Sequence, residues 1–320
     1  MQQQRVIEPT GFGRVGVLMG GVTEREVSLA GGKLVLAALQ SRGVDAVPIQ
    51  CEADIYGALL ATPVDRVFNV LHGGDGEGGL AQALFKAMQL PNTDNHFAAC
   101  ALALDKLRSK WVFQGLGLPT PAYYHISPTT AIDVAAIVAR LGLPIVVKPS
   151  LEGSSVGVSI VRDQADLLAS ITQARQFGSD ILLEQFITGD ELTVGIIGEQ
   201  VLPVIRIEAA EGFYDYAAKY VKKTTRYHLP SGLSPEVEAQ VGALALQAFR
   251  AVGCDKWGRV DLMRDQTGQC WLLEVNTITG MTATSLVPKA AAVIGLDFAD
   301  LVMRVLAMSV TEDVAAEPVA

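Results

Sequence analysis

One segment near the C-terminus, residues 257–276, has the pattern of a β-hairpin with metal-binding groups gathered on one side. Arg259, Asp261 and Met263 alternate with Val260 and Leu262, which is the period of a half-buried strand. Asp265-Gln-Thr-Gly268 is turn chemistry, and Gln269 to Asn276 reads as the returning strand. A loop with an even number of residues puts Asp261, Glu274 and Asn276 on one face. Three oxygen donors beside the Arg259 guanidinium suit Mg²⁺ or Mn²⁺ carrying a phosphate chain. The plainer reading is a salt bridge between Arg259 and one carboxylate. It gives the second carboxylate and Asn276 no reason to converge, and burying them unpaired is costly.

The rest of the chain supplies a frame for such a site. At 320 residues it is long enough for two or three domains, and half its residues are apolar. No apolar run reaches the length of a membrane span, and the first ten residues have no apolar signal core. A net charge of −9 argues against nucleic acid as the partner, while leaving room for a local basic pocket. Cys51, Cys100, Cys254 and Cys270 show no Cys-x-x-Cys spacing and read as reduced core residues of a cytoplasmic protein.

Residues 14–94 alternate strand and helix patterns. Strands are expected at Arg14–Met19, Val44–Ile49 and Arg66–Leu71. A helix follows the first, with Thr23 and Glu26 in capping-box spacing, and another covers Leu80–Gln89. This is the pattern of a doubly wound parallel sheet, which gathers ligands at the carboxyl ends of its strands. Residues 95–184 read as an α+β unit. They hold a helix from Asp105 to Gly117, a helix capped by Ser127 running to Gly142, and a hairpin, Pro144–Pro149 with Val156–Val161, around the loop Ser150–Ser155. From 185 onward come strands at Leu192–Ile197 and Val201–Ile207 and a polar, aromatic loop from Glu211 to Ser231. A helix over Pro235–Gly253, the metal hairpin and a helical region from Leu286 complete this part. The fold class is thus α/β, α+β overall, in three units at 1–94, 95–184 and 185–320.

Several motifs invite other chemistries. Gly74, Gly76 and Gly79 match Gly-x-Gly-x-x-Gly, but Asp75 and Glu77 repel a pyrophosphate and the loop follows the third strand, not the first. It reads better as a close-approach loop bordering a small substrate, with His72 either facing the ligand or bonding at the strand end. Gly153-Ser-Ser-Val-Gly157 matches the hydrolase elbow, yet strand rather than helix should follow it. Its backbone amides suit phosphates better, with Lys148 as an adjacent cation. There is no P-loop. Lys106 is a second phosphate cation, unless its cluster is only a solvated helix face. Glu184 and Glu191 bracket a strand and turn on the nucleotide side; Glu191 suits ribose hydroxyls, and the backbone of Gln185 to Ile187 suits adenine.

Taken in order, these elements resemble the ATP-grasp enzymes and, more closely, the D-alanine–D-alanine ligases. The similarity spans about Val15 to Leu306. Its motifs are Glu24-Arg-Glu-Val-Ser28, His72-Gly, Asp105-Lys-Leu-Arg-Ser-Lys110, Lys148-Pro-Ser-x-Glu-Gly-Ser-Ser-Val-Gly157 and Phe213-Tyr-Asp-Tyr216. Lys219-Tyr220, Trp257-Gly-Arg-Val-Asp261, Leu273-Glu-Val-Asn-Thr277 and Gly280-Met-Thr282 continue the series. The resemblance implies an ATP-grasp fold that joins two D-alanines through an acyl phosphate, for peptidoglycan precursor synthesis. It implies Lys106, Lys148, Ser155 and Lys219 on ATP, and two Mg²⁺ on Asp261, Glu274 and Asn276. Arg259 and the Gly280 amide would hold an oxyanion, and Glu24 the first ammonium. Ser154 and Tyr220 would lock Glu24 to a closing loop. His72 would border the substrate, and Ser285 with the Leu286 amide would take the second carboxylate. It also suggests a homodimer. Alternatives are another ATP-grasp ligase with a different amino- or hydroxy-acid acceptor, or a catalytically weak ATP-binding regulator.

Three departures from the family pattern stand out. Thr279 replaces a usual proline before Gly280, which loosens the oxyanion amide. Asn92-Thr-Asp-Asn95 replaces a usual Thr-Gly-Ser, and Gly78 takes a usual aspartate position in the His72 loop. They bear on rate rather than reaction type.

Overall fold

Three sheets carry the molecule, in a computed structural model that describes residues 8–208 and 225–310. The first comprises β1 (Val15–Gly20), β2 (Ala46–Cys51) and β3 (Arg66–Asn69), parallel in the order β2-β1-β3. Helices α1 (Arg25–Ser41), α2 (Ile55–Ala61), α3 (Gly74–Glu77) and α4 (Leu80–Ala87) complete this part. Strand alternation decides which face each helix takes. Val15, Val17 and Met19 pack with Val35 and Leu39 of α1, whereas Leu18 joins Ile55, Leu59 and Phe85 of α2 and α4.

Helices α5 (Phe97–Leu104) and α6 (Lys106–Gly115) lead into the second sheet. It is formed by β4 (Tyr123–Ile126), β5 (Ile145–Pro149), β6 (Ser159–Val161) and β7 (Ile181–Gln185), antiparallel in the order β4-β7-β5-β6. Ile145 and Val147 face α7 (Val134–Leu141) and α8 (Leu167–Ala174). Val146 and Lys148 therefore point the other way, into a cleft.

The third sheet holds β8 (Gly189–Ile197), β9 (Gln200–Val201), β10 (Ile205–Glu208), β11 (Arg226–His228), β12 (Trp257–Asp265) and β13 (Cys270–Asn276). Its order is β11-β10-β8-β12-β13, with β9 on β8. Leu192, Val194, Val260, Leu262, Leu272 and Val275 pack on α9 (Pro235–Ala251). The opposite face is left to Glu191, Thr193, Arg259, Asp261 and Met263. Helices α10 (Leu286–Val293) and α11 (Phe298–Ala307) close the chain and share the core cluster of α1 and β1. No helix among the described residues is long and apolar enough to cross a membrane.

Several elements depart from the sequence expectation. Thr23 and Glu26 form no capping box. Glu24 takes the cap position of α1 in the left-handed region, φ 47°, with no side-chain cap bond. Ser127 caps no helix, because its hydroxyl lies 2.5 Å from that of Thr130, and α7 starts later, where Asp133 accepts from the Ala136 amide. The strand over Val201–Ile207 is broken around Pro203, which has no N–H for a ladder. The loop 211–231 ends in a strand, β11, and residues 209–224 lie outside the described residues, Lys219 and Tyr220 among them. The helical region from Leu286 is two helices. All four cysteines are free, as expected, but Cys270 is only partly buried.

Candidate active site

The hairpin reaches its register by an unexpected route. Arg264 pairs with Cys270, so an odd number of residues separates them, and a regular ladder would set Asp261 opposite Leu273. A β-bulge between Asp261 and Leu262 takes up one residue on β13 and brings Glu274 opposite Asp261, with Asn276 opposite Arg259. The expected convergence is achieved by the bulge, not by an even loop. The bulge also lets Leu273 and Glu274, neighbours in sequence, line the same cleft.

Asp261 is the centre of this cluster. Arg259 donates to it twice, Nε to Oδ1 at 2.8 Å and Nη2 to Oδ2 at 2.7 Å. Asn276 Nδ2 donates to Oδ2 at 3.0 Å, and the Thr193 hydroxyl to Oδ1 at 2.6 Å. The plain Arg259 salt bridge is thus present, and Asn276 converges on it all the same. Glu274 pairs with Lys106 at 3.1 Å. Among the described residues no three His, Cys, Asp or Glu side chains cluster as a metal set. The set here is two carboxylates and an amide, all of them hard oxygen donors.

The two lysines expected on phosphate come from two elements. Asp105 caps α6 by accepting from the Arg108 amide, and accepts from the Ser150 hydroxyl at 2.6 Å, tying α6 to the end of β5. Lys106 is thereby set at the cleft and donates to Glu152 O at 2.7 Å. It is no part of a solvated helix face: Lys106 is 8% exposed and Lys110 fully buried. Lys148, on β5, is ion-paired with Glu184 on β7, and Lys110 holds the other oxygen of the same carboxylate. Burial raises the Glu184 acid, but Lys110 and Lys148 outweigh it and hold the carboxyl below its usual range. Burial also pushes the Lys110 ammonium down to about 8, against the pull of Glu184. Lys110 was visible only as part of a motif; its role as buried partner of Glu184 was not.

Two adjoining cavities surround these groups. The first lies between the second and third sheets and is lined by Lys106, Lys148, Ser154, Ser155, Glu184, Gln185, Ile187, Glu191, Asp261 and Glu274. The second is lined by Glu24, His72, Glu77, Arg259, Asn276, Gly280, Ser285 and Leu286. Gly153, Ser154 and Glu274 border both. Ser154 and Ser155 adopt φ of 50° and 61°, a left-handed turn rather than a strand-to-helix elbow, and β6 follows. A Cβ at Gly153 would lie 3.1 Å from Glu24 Oε1, so this loop passes close to the Glu24 carboxylate.

The second cavity draws together residues far apart in sequence. His72 bonds at the strand end, Nδ1 to Val70 O at 2.8 Å, while Nε2 is buried with no partner among the described residues. Gly280 packs against Ser285, whose hydroxyl accepts from the Thr282 amide at 3.0 Å instead of capping α10. Glu77 is the residue that sequence reasoning missed. Its carboxylate accepts from the amides of Gly73, Thr277 and Ile278, joining the glycine loop to the segment before Gly280. Burial raises its acid, opposed by His72 and the amides. The signal was a carboxylate inside a glycine loop, which reads as repulsion until its amide partners are seen.

A family model, D-ala D-ala ligase C-terminus, matches residues 112–307. A relative from Xanthomonas campestris pv. campestris, named D-alanine–D-alanine ligase B, is 52% identical over 307 residues, covering 94% of this chain and 96% of its own length. The chain belongs to the D-alanine–D-alanine ligase family. Solved ligases agree in shape. The D-alanine–D-alanine ligase of Bacillus anthracis complexed with ATP superposes with a TM-score of 0.85 at 28% identity, over 95% of this chain and all of that one. The VanG D-Ala:D-Ser ligase of Enterococcus faecalis gives 0.80 at 26% identity, over 92% and 99%. The expected ATP-grasp fold is therefore the fold of this ligase.

Proposed function

We propose that the chain joins two D-alanines, with ATP as co-substrate, in the cytoplasm and for peptidoglycan precursor synthesis. The observation that carries this is the meeting of the two cavities at Gly153, Ser154 and Glu274, which sets the Lys106 and Lys148 cations beside a cavity lined by Glu24, His72 and Arg259. Residues 1–94 would supply the substrate side, 95–184 the cover over the nucleotide, and 185–320 the metal face.

In this reading Lys106 and Lys148 hold the phosphates, with the amides of Ser154 and Ser155. Gln185 and Ile187 present backbone groups to adenine, and Glu191 takes the ribose. Two Mg²⁺ or Mn²⁺ on Asp261, Glu274 and Asn276 would neutralise charge on the transferring phosphoryl group. Glu24 receives the ammonium of the first D-alanine, and His72 borders the same substrate. The carboxylate of that substrate becomes an acyl phosphate, and the amine of the second attacks its carbonyl. Arg259 and the Gly280 amide then hold the oxyanion. Ser285 and the Leu286 amide, at the start of α10, take the second carboxylate. Lys219 would reach the phosphates, and Tyr220 would pair with Ser154 and Glu24. A homodimer belongs to the same reading and is testable by sedimentation.

The test is ADP release with Mg²⁺ and a panel of D-alanine, L-alanine, D-serine and D-lactate. D-alanine should dominate and yield the dipeptide. Glu274→Gln should lose turnover by at least about a hundredfold, since several kcal/mol of charge stabilisation are at stake, while folding normally. Equal use of both alanine enantiomers, or a fully active Glu274→Gln, refutes the assignment. A preference for D-serine would instead support a different acceptor, the one named for the VanG D-Ala:D-Ser ligase.

A further inference from the structure

A buried polar chain runs between the glycine loop and the base of β12, and none of its members borders either cavity. Gly76 O, in α3, accepts from Asn69 Nδ2 at 3.0 Å and from Gln82 Nε2 at 2.9 Å. Each amide gives a second N–H to Asp94 Oδ2, at 2.7 and 2.6 Å. Asn69, Gln82 and Asp94 are at most 3% exposed. The next residue continues outward on the other side. Asn95 Oδ1 accepts from the amides of Asp255 and Lys256 at 3.0 and 2.9 Å, and its Nδ2 donates to Trp257 O at 2.8 Å. Lys256 Nζ donates to Asn92 O at 2.9 Å. Asp94 thus reaches the loop of His72 and Glu77 through Asn69 and Gln82, while Asn92 and Asn95 on either side grip the start of the strand of Arg259 and Asp261.

We infer that Asp94 is a positioning residue, whose carboxylate orients Asn69 and Gln82 so that they hold Gly76 O and, through it, the wall of the cavity that takes the first amino acid. The inference rests on the function proposed above. The chemistry of the three groups supports it. A carboxylate only accepts, so both amides must turn their NH₂ towards it, which leaves their second N–H for Gly76 O. Asn69 is doubly fixed, because its Oδ1 accepts from the Leu71 amide at 2.9 Å. Gln82 has no such anchor: its Oε1 is buried without a partner among the described residues. Its orientation therefore depends on Asp94 and Gly76 alone.

Two sequence departures meet at this clamp. Asp94 stands within the segment that replaces Thr-Gly-Ser, and Gly78 stands where an aspartate is usual. Here a Cβ at Gly78 would come within 2.7 Å of Gly74 O and 2.9 Å of Leu104 Cδ2, so the site as packed is closed to a side chain. The loop that has no carboxylate of its own at Gly78 is held by a carboxylate from outside. Burial pushes the Asp94 acid up to about 6, opposed by Asn69, Gln82 and Lys256, so at pH 8 it remains the ionised acceptor.

The test uses Asp94→Ala, Asp94→Asn and Gln82→Leu in the full chain. Asp94→Ala should raise the half-saturating D-alanine concentration about tenfold, the scale of one lost hydrogen bond, with KM for ATP unchanged. Gln82→Leu should shift it in the same direction, and Asp94→Asn, which keeps an acceptor oxygen, should restore most of the loss. Peptide-resolved hydrogen exchange reads the clamp without turnover: Asp94→Ala should speed exchange in 73–78 selectively. A parent enzyme inactive on D-alanine would sink the functional reading and leave the exchange result standing. If residues 73–78 keep their protection in folded Asp94→Ala, or if kcat and both KM values change together, the clamp is only structural. Should Asp94→Ala fail to fold, an unchanged D-alanine requirement in Gln82→Leu overturns the inference.

Discussion

Glu184 shows how a single buried side chain can hold a cation in place at the edge of a cleft. It is almost inaccessible, and its two oxygens are shared between Lys110 and Lys148. Only Lys148 borders the nucleotide cleft. Lys110 therefore acts from behind, keeping the carboxylate ionised and in place for Lys148. Removing one partner of a buried pair strands the others, at about 3–5 kcal/mol. Glu184→Gln should cost that much in urea unfolding at pH 7, and Lys110, losing the group that raises it, should fall further below about 8. The pH dependence has a definite sign. The folded carboxyl lies below its ordinary value of 4.5, so its stabilisation is complete above that pH and is lost as pH falls through the folded value. The acid-side slope of the parent should be shallower in Glu184→Gln. Equal slopes would remove Glu184 from this role.

At the scale of elements, the hairpin marks the boundary of what could be read in the sequence. Alternation in β12 was plain, because polar and apolar residues take turns from Arg259 to Met263. The bulge was not, because nothing in Leu272-Leu-Glu-Val distinguishes one apolar residue too many from a buried strand. The same holds elsewhere. The expected strands β1, β2, β3, β5 and β8 are present, since each buries a continuous or alternating face. The starts of α1 and α7 were misplaced, since Thr23 and Ser127 have cap chemistry but spend it on other contacts, and a single sequence does not show the competitor. Helices α2 and α5 were passed over, being short and lacking a clear period. The convergence of Asp261, Glu274 and Asn276 and the place of Lys106 and Lys148 at the cleft were legible; Glu77, Lys110 and the Asp94 chain were not, because their partners lie far along the chain. The bulge carries its own prediction. With Leu273 and Glu274 both lining the cleft, Leu273 would supply apolar surface to a nucleotide held there. Leu273→Ala should raise KM for ATP about five- to thirtyfold, from the 1–2 kcal/mol expected of a truncated, half-buried leucine, while kcat holds. An unchanged KM for ATP would mean that Leu273 serves only the ladder.

The molecule as a whole is joined end to end. Helix α11 packs on α1, and Arg42 bridges to Asp297 and Asp300 across the seam. Those pairs are largely exposed and contribute little. The stronger tie is Arg66, at the start of β3 and 5% exposed. Its Nη1 donates to Ser309 O at 2.7 Å and to the Ser309 hydroxyl at 3.0 Å, and its Nε donates to Phe12 O at 3.3 Å. One guanidinium thus satisfies carbonyls at both ends of the described chain. The first sheet, which carries Glu24 and His72, is in this way fixed to the helices that follow Gly280 and Ser285. Since the two substrate positions proposed here lie on opposite sides of that seam, their spacing depends on it. Arg66→Met keeps the aliphatic stem but leaves the Ser309 and Phe12 carbonyls without their donor. At about 1–3 kcal/mol for each buried group left unpaired, unfolding should become easier by about 2–5 kcal/mol. The half-saturating D-alanine concentration should rise, while KM for ATP, set by the second and third sheets, stays near the parent value. If Arg66→Met unfolds the first sheet in a separate transition without weakening α11, the two ends are independent units, and the seam does not set the substrate spacing.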